Sequence, residues 1–257
     1  MTPMLIILRF LKLDNTNYLS IRQHNHSPRF ENKNILDISL KLVNTLQYLD
    51  WHSLSTDNSQ LFNETIANNV ELISLKATSK SFNLNSFYHI SKNTNLTKLY
   101  ITFNEYFIDL NSANLPRLSN IKNLLFYQTH GQNQTPIHLL IEKCENLEEL
   151  KLGNVYDFKV HLKYYIKNLT LLKILAIDVN GFPHQILDTV LPEPNLEQLK
   201  ICSKHPIKLD FSNFDNMKKL KFICNNYLET NEVPKYEELN NWKMTSYPTS
   251  TKYWKIK

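Results

Sequence analysis

The stretch ENLEELKL at residues 145–152 has the form Asn-Leu-x-x-Leu-x-Leu, and variants of this form recur along most of the chain. Leu147, Leu150 and Leu152 define positions 1, 4 and 6 of the unit. Equivalent units begin with an apolar residue at nine places: Leu46, Leu72, Leu96, Ile121, Leu147, Leu172, Leu196, Met217 and Leu239. Their starts lie roughly 21–26 residues apart, inside the window of about 20–29 residues that is typical of one class of structural repeat.

The apolar spacing within the unit predicts a short strand. Side chains alternate between the two sides of a strand, so positions 4 and 6 point to one side and position 5 to the other. A single strand of this kind cannot bury its apolar side, but stacked copies bury it together. Each fully buried leucine or isoleucine contributes about 1.5–3 kcal/mol. We therefore expect neighbouring parallel strands that align the position 4 residues Leu99, Leu124, Leu150, Leu175 and Leu199.

Residues 46–244 resemble leucine-rich-repeat proteins of the longer-period kind. The segment Cys144-x-x-Leu147-x-x-Leu150-x-Leu152 is similar to the cysteine-containing, ribonuclease-inhibitor-like repeats of F-box substrate receptors. The resemblance implies an α/β fold, in which a right-handed solenoid has parallel strands on its concave face. Helices or irregular turns are then expected on the convex face.

The residue after each strand departs from the regular repeat. Leucine-rich repeats carry an asparagine there, whose side chain bonds backbone groups of the turn. Asn104, Asn180 and Asn225 occupy this position. Other residue types occupy it in the remaining repeats: Leu54, Lys80, Thr129, Lys204 and Tyr247. The pattern therefore predicts an irregular solenoid of uneven curvature.

The extent of the repeat divides the 257 residues into three predicted parts. Residues 1–45 are expected to hold a partial repeat and a loop, residues 46–245 the solenoid, and residues 246–257 a closing segment. Between the strands, five segments have the apolar periodicity of helices: residues 58–68, 85–92, 136–144, 158–167 and 183–190.

Both ends of the chain also fit strands. Residues 4–13 match the repeat, with three apolar residues at positions 1, 4 and 6: Leu8, Leu11 and Leu13. The chain is thus expected to start inside a repeat, as a fragment of a longer relative would. Residues 251–257 alternate in polarity, which predicts a closing strand that covers the core with Trp254 and Ile256.

Composition favours an intracellular protein. Three cysteines, Cys144, Cys202 and Cys224, are too few and too scattered for a disulfide framework. The apolar run at residues 4–10 is too short to span a bilayer and lacks the features of a secretory signal, so no membrane association is expected. The net charge of +5 is mildly basic, and residues with A/T-rich codons are abundant, so a compositional bias of the genome is an alternative source of the lysines.

Position 5 of each strand forms a column on the predicted concave face. It contains, in chain order, Lys12, Asp50, Lys76, Tyr100, Leu125, Lys151, Ala176, Lys200, Lys221 and Lys243. Like charges directly opposite each other on adjacent strands are unfavourable, so successive lysines indicate a basic groove for an acidic protein segment or a polyanion. The candidate partner-binding residues are Lys76, Lys98, Tyr100, Lys151, Lys200, Lys221 and Lys243. The alternative is a solvated lysine-rich face without a ligand.

The sequence predicts no catalytic, cofactor or metal residues. Cys202 and Cys224 fall in neighbouring repeats near His205, but zinc requires four ligands with paired spacing. His24 and His26 are read as parts of a loop. Nucleic acid is disfavoured because arginine is scarce on the predicted face and its tyrosines form no continuous stacking platform.

These features favour a non-enzymatic protein–protein interaction scaffold. The family resemblance implies a more specific alternative, the substrate-recognition part of an F-box-type ubiquitin-ligase receptor without its F-box. A degenerate fragment that binds nothing is a further alternative. A hydrolase would require a pocket that joins His24, His26 and a carboxylate. The sequence does not define an oligomeric state.

Overall fold

A computed structural model of the chain describes residues 7–13, 16–22, 45–52, 59–103, 114–128, 137–153, 168–179, 195–203, 217–224, 242–247 and 250–255. The chain divides into two compact units, Met1–Glu145 and Asn146–Lys257. No helix among the described residues is both long and apolar enough to cross a membrane.

Among its described residues, the N-terminal unit has six strands, three α-helices and a 3₁₀ turn at Ser79–Ser81. The strands follow chain order in their sheet and are β1 (Ile7–Leu13), β2 (Thr16–Arg22), β3 (Tyr48–His52), β4 (Ser74–Thr78), β5 (Lys98–Phe103) and β6 (Asn123–Gln128). The helices are α1 (Ser59–Asn68), α2 (Leu84–Lys92) and α3 (Ile137–Lys143). From β2 to β6 every pairing is parallel. The predicted α/β class with mostly parallel strands is confirmed.

The inward leucines of this unit align as expected. Leu75 lies opposite Leu99, and Leu99 lies opposite Leu124. All three side chains are almost fully buried. In β5 the burial alternates residue by residue, so that Leu99 and Ile101 are inside while Lys98 and Tyr100 are partly exposed. Positions 4 and 6 of the unit therefore form the core, as the spacing predicts.

The start of the chain differs from the prediction. β1 pairs with β2 as an antiparallel hairpin, and β2 is the strand that continues in parallel to β3. Leu19 lies opposite Leu49 and Ile21 opposite Trp51, so residues 16–21 form the first copy of the unit. The prediction that residues 4–13 supply this copy was wrong, because both runs match the pattern and only pairing separates them.

Helices α1 and α2 cover the core beside β3, β4 and β5. The core contains a continuous aromatic cluster with ring centroids 5.2–5.4 Å apart, formed by Trp51, Phe62, Phe82 and Phe87. Helix α2 begins with a capping box. The Asn83 side chain accepts a hydrogen bond from the Ser86 backbone N–H, and the Ser86 hydroxyl oxygen accepts one from the Asn83 backbone N–H. The helices predicted at residues 58–68, 85–92 and 136–144 are confirmed, whereas those at 158–167 and 183–190 lie outside the described residues.

The turns before the strands repeat the same hydrogen bonds. In several turns two successive backbone N–H groups donate to one carbonyl of the preceding repeat, as Thr97 and Lys98 do to Ile73 at 3.1 Å. Asparagine side chains add to this link. Asn93 donates to the Asn69 carbonyl at 3.0 Å, and Asn95 donates to the Val70 carbonyl at 3.0 Å. These asparagines precede the strand, whereas the predicted post-strand asparagines lie outside the described residues.

The described residues of the C-terminal unit form six strands. They are β7 (Glu149–Gly153), β8 (Ile174–Val179), β9 (Gln198–Ser203), β10 (Lys219–Cys224), β11 (Trp242–Tyr247) and β12 (Ser250–Lys255), in the sheet order β7-β8-β9-β10-β12-β11. From β7 to β10 the strands are parallel and align Leu150, Leu175, Leu199 and Leu220. These four leucines are at most 1% exposed.

The last two strands reverse the direction of the sheet. β12 lies between β10 and β11 and is antiparallel to both. The unit beginning at Leu239 was therefore wrongly predicted to stack directly on the preceding repeat. A closing strand exists, but Tyr253 is its buried residue at 3% exposure while Trp254 is 37% exposed. The prediction that Trp254 covers the core was wrong, since the alternation has the opposite phase; Ile256 lies outside the described residues.

Removal of one inward leucine tests the shared core. We expect Leu99→Ala to lower the free energy of unfolding by about 2–5 kcal/mol, because the side chain is fully buried between two neighbouring strands. Urea unfolding followed by circular dichroism measures the loss. Thr102→Ala, on the other side of the same strand, is the control and should change stability by less than about 1 kcal/mol. Equal losses from both variants would contradict the assignment of the core.

The turn asparagines generate a second prediction. We expect Asn93→Ala to cost about 1–3 kcal/mol, because its side chain is buried and the Asn69 carbonyl loses its donor. The exposed Asn95 makes one comparable bond, so Asn95→Ala should cost less than about 1 kcal/mol. Thermal denaturation of both variants distinguishes the two. A neutral Asn93→Ala would show that the turns do not depend on this bond.

Candidate interaction surface

The side chains at positions 3, 5 and 7 of the strands form an exposed strand face in each unit. This face lies opposite the core because side chains alternate along a strand. In β5 it presents Lys98, Tyr100 and Thr102, all partly exposed. In β7 it presents Glu149 and Lys151. Every candidate partner-binding residue from the sequence lies on a described strand, at position 3 or 5 for those in the parallel repeats.

The N-terminal unit has an ionic cluster at the centre of its strand face. Asp50 is only 5% exposed, and its carboxylate lies 2.8 Å from His52 Nε2. The Lys76 ammonium lies 3.6 Å from the same carboxylate, and the Tyr18 hydroxyl donates to it at 3.5 Å. Lys76 therefore already has an anionic partner within the chain. Sequence analysis placed Asp50 in the column but did not find the cluster, because His52 and Tyr18 reach it from other positions.

Lys98 and Tyr100 occupy the next strand of the same face. Tyr100 lies directly opposite Lys76 on one side and Leu125 on the other, while Lys98 lies opposite Ser74 and Asn123. Tyr127, two residues beyond Leu125, is 45% exposed. This part of the face combines a cation with two tyrosines, and tyrosine is enriched among the residues that dominate protein interfaces.

Lys12 and Lys76, the first two lysines of the predicted position 5 column, are less available to a partner than the sequence suggested. The register gives the N-terminal unit the order Ser20, Asp50, Lys76, Tyr100 and Leu125. Lys12 was wrongly placed in this column, since it lies on β1 opposite Asn17. A hairpin signal was present in the sequence, because Asp14 and Asn15 are residue types favoured in two-residue turns between strands.

In the C-terminal unit the column begins with a paired lysine. Lys151 Nζ lies 2.5 Å from Glu149 Oε1 on the same strand. Ala176 follows on β8. This end of the strand face is therefore close to neutral, and Lys151 has an internal counter-ion.

Three lysines then lie directly opposite one another on consecutive strands. Lys200 on β9 faces Lys221 on β10, and Lys221 faces Lys252 on β12. We call Lys200, Lys221 and Lys252 the lysine row. The predicted succession of Lys200, Lys221 and Lys243 was wrong in its last member, because β12 separates β11 from β10 and Lys243 lies opposite Trp254. Within the described part of the chain, no carboxylate forms an ion pair with Lys200 or Lys221.

Acidic residues of this unit pair with other lysines in the turns. Lys218 Nζ lies 2.7 Å from Glu197 Oε1, and Lys173 Nζ lies 3.7 Å from Glu148 Oε2. The hydrogen bond from Lys218 lowers the pKa of Glu197, desolvation opposes this, and the charges of Lys218 and Lys173 lower the pKa further. These carboxylates precede the strands and form ion pairs with turn lysines.

The cysteines do not form a joint site. Cys202 lies opposite Ile223, and Cys224 lies opposite Ser203, so the two cysteines are displaced by one residue in register. Burial raises the pKa of the Cys202 thiol and Asp178 adds to this, while Lys200 and Lys221 oppose it. Burial alone raises the pKa of Cys144. Among the described residues no three metal-binding side chains cluster, and His24, His26 and His205 lie outside them.

The C-terminal strand face concentrates positive charge at Lys200, Lys221 and Lys252. Ammonium groups donate hydrogen bonds and accept none, so clustered lysines attract carboxylates or phosphates.

No family model and no curated protein matches this chain. The geometry of the strand face is therefore the basis for assigning a function.

The Glu197–Lys218 pair generates a prediction about pH. The folded pKa of Glu197 is below its usual value of 4.5, so its contribution to stability is present above that value and is lost as the pH falls through the folded pKa. We expect Lys218→Ala to move the Glu197 pKa, measured by NMR titration of the carboxyl carbon, back toward 4.5. Lys92→Ala, on helix α2, should leave it unchanged. An unaltered titration in Lys218→Ala would refute the pairing.

Proposed function

We propose that this chain is a non-enzymatic protein-interaction scaffold of the leucine-rich-repeat kind, which holds a partner against its exposed strand face. In this proposal the strands form the concave face of a right-handed solenoid, with helices and turns on the convex face. The support is the regular period of roughly 21–26 residues and the parallel pairing of successive copies within each unit. Connections between parallel strands of one sheet are right-handed in about 98% of cases.

The observation that carries the binding role is the direct opposition of Lys200 and Lys221. Like charges at this position are destabilising, typically by a few tenths of a kcal/mol up to about 1 kcal/mol. Both side chains are partly exposed, and no described carboxylate pairs with them. A bound anionic partner would supply the missing counter-charges. We therefore propose an acidic protein segment as the partner.

The form of the surface favours a protein over a small molecule. Stacked repeats present extended surfaces to which many side chains contribute, and a folded or extended polypeptide can contact several of them at once. Lys98, Tyr100 and Tyr127 in the N-terminal unit offer further contacts of the kind that protein interfaces use. The candidate residues with internal counter-ions, Lys76 and Lys151, contribute less to binding in this proposal.

Charge reversal on the strand face tests the proposal. The wild-type chain and the double variant Lys200→Glu/Lys221→Glu are each used to capture proteins from a lysate of the source cell. We expect the variant to capture at least tenfold less of the wild-type partners, because like-charge contacts across an interface cost several kcal/mol. Captured proteins are quantified by mass spectrometry after nuclease treatment. Thermal denaturation verifies that the variant is folded.

The control has the same change of charge away from the strand face. Lys92→Glu/Arg117→Glu alters exposed residues on helix α2 and in the segment before β6. It should retain the captured proteins. Equal capture by both double variants would show that the strand face is not the binding surface. Loss of capture in both would reveal a nonspecific dependence on net charge, and either result would overturn the proposal.

A further inference from the structure

The antiparallel strand β12 places a tryptophan among the lysines of the C-terminal strand face. Trp254 lies directly opposite Lys219 on β10 and directly opposite Lys243 on β11. The lysine row runs beside it, since Lys221 follows Lys219 by two residues on β10 and Lys252 precedes Trp254 by two residues on β12. We call Lys200, Lys219, Lys221, Lys243, Lys252 and Trp254 the lysine–tryptophan patch. It joins five cations and one large aromatic side chain on four adjacent strands.

The opposite side of these strands identifies the patch as an outward surface. Leu199, Leu220 and Tyr253 alternate with the patch residues and are 1–3% exposed. Lys219, Lys243 and Lys252 are exposed, and Trp254 is 37% exposed. Trp51 and Trp242, the other two tryptophans of the chain, are 1% and 8% exposed. Trp254 is therefore the most exposed of the three tryptophans.

The strand residues directly opposite the patch carry no charge, and the nearby carboxylate of Asp178 lies on β8, two residues beyond Ala176. The residues directly opposite its outer lysines are Ala176, Gln198 and Thr245. Within the described residues, no ion pair links Lys200, Lys219, Lys221 or Lys243 to a carboxylate. Glu197, in the turn before β9, is already paired with Lys218. The positive field of the patch thus acts mainly toward solvent.

The dimensions of the patch match a short peptide. Adjacent strands are about 4.8 Å apart and alternate residues of a strand are roughly 6.6 Å apart, so each row of three residues spans about 10 Å. Lys219, Trp254 and Lys243 form one row, in which an aromatic surface separates two cations. Three to four residues of an extended chain cover this distance. A matching segment has an apolar residue between carboxylates.

We propose that the lysine–tryptophan patch binds an acidic peptide segment whose apolar side chain packs on Trp254 between flanking carboxylates. This inference rests on the proposed protein-binding function and assigns the partner chemistry of one part of the strand face. The lysines supply attraction and long-range steering, which depend on salt. Trp254 supplies the desolvated contact, and tryptophan is the residue type most enriched at energetically dominant interface positions.

A peptide accounts for the patch better than a nucleic acid does. Proteins that bind single-stranded nucleic acid stack successive bases on several aromatic side chains along a basic groove. Here a single exposed tryptophan has lysines on both sides in its own row. That arrangement suits one apolar side chain rather than a run of bases.

Three synthetic peptides separate the two contributions. They carry the cores Glu-Glu-Leu-Glu-Glu, Glu-Glu-Gly-Glu-Glu and Gln-Gln-Leu-Gln-Gln within identical Gly-Ser flanks and have a fluorescent label. Fluorescence anisotropy with the full chain should give the lowest Kd for the first, a Kd about fivefold higher for the second and at least tenfold higher for the third. Acrylamide quenching of tryptophan fluorescence should fall on binding, because Trp254 is the exposed tryptophan.

Two variants and one control connect binding to the patch. Trp254→Ala should abolish the difference between the leucine and glycine peptides while leaving the preference for glutamate over glutamine. Lys221→Glu should weaken the Glu-Glu-Leu-Glu-Glu peptide at least tenfold and raise Tm by about 1–4 °C, since it replaces a repulsion from Lys200 and Lys252 with attraction. Lys92→Glu should change neither property. The opposite responses of affinity and Tm distinguish a binding role from a structural one.

The outcomes distinguish this inference from the scaffold proposal. If no peptide binds but protein capture still depends on Lys200 and Lys221, the partner chemistry is wrong and the scaffold proposal stands. If the peptides bind equally to wild type and Lys221→Glu, the patch is not their site. Tighter binding of a single-stranded oligonucleotide, with quenching of Trp254, would assign the patch to nucleic acid and overturn the inference. Peptide binding with the predicted variant responses supports it even if lysate capture fails.

Discussion

The in-register stacking of inward leucines is the constraint on which both units depend. A strand of five or six residues buries its apolar side only with neighbours, so Leu99 requires Leu75 and Leu124 beside it. A slip of one residue would turn these side chains to solvent and bring polar ones inside. The register is therefore specified strongly, and the same register determines which polar residues face one another on the other side of the sheet.

The turns satisfy the backbone groups that this stacking brings together. Buried N–H and C=O groups need partners, and each new strand brings a turn against the one before it. Asn93 and Asn95 link their turn to the preceding one through side-chain amides. Asn120 extends the link by donating to the carbonyls of Ile90, Asn93 and Leu96. Part of the asparagine content of the chain is thus structural, whatever codon bias contributed to it.

The register has an electrostatic consequence at the end of the C-terminal unit. Because Leu199 and Leu220 must align, Lys200 and Lys221 must also align, and β12 then adds Lys252 to the same row. Two other lysines of the strand faces have internal partners, since Lys76 pairs with Asp50 and Lys151 pairs with Glu149. Positions that break a local rule without an evident structural gain are those where function is expected.

The sequence by itself determined the repeat period, the buried positions and the α/β class, since these depend on local alternation that Leu150 and Leu152 already display. It also identified Lys200 and Lys221 as neighbours, because parallel repeats keep their phase. Only the tertiary structure decided how the first and last strands pair with their neighbours. Leu11 and Leu19 both match position 4 of the repeat, and the sequence around Trp254 allows that side chain to face either side of the sheet. The direction in which the strands pair selects between these alternatives. That direction depends on contacts between segments that are distant in sequence, and the apolar pattern within one segment does not contain it.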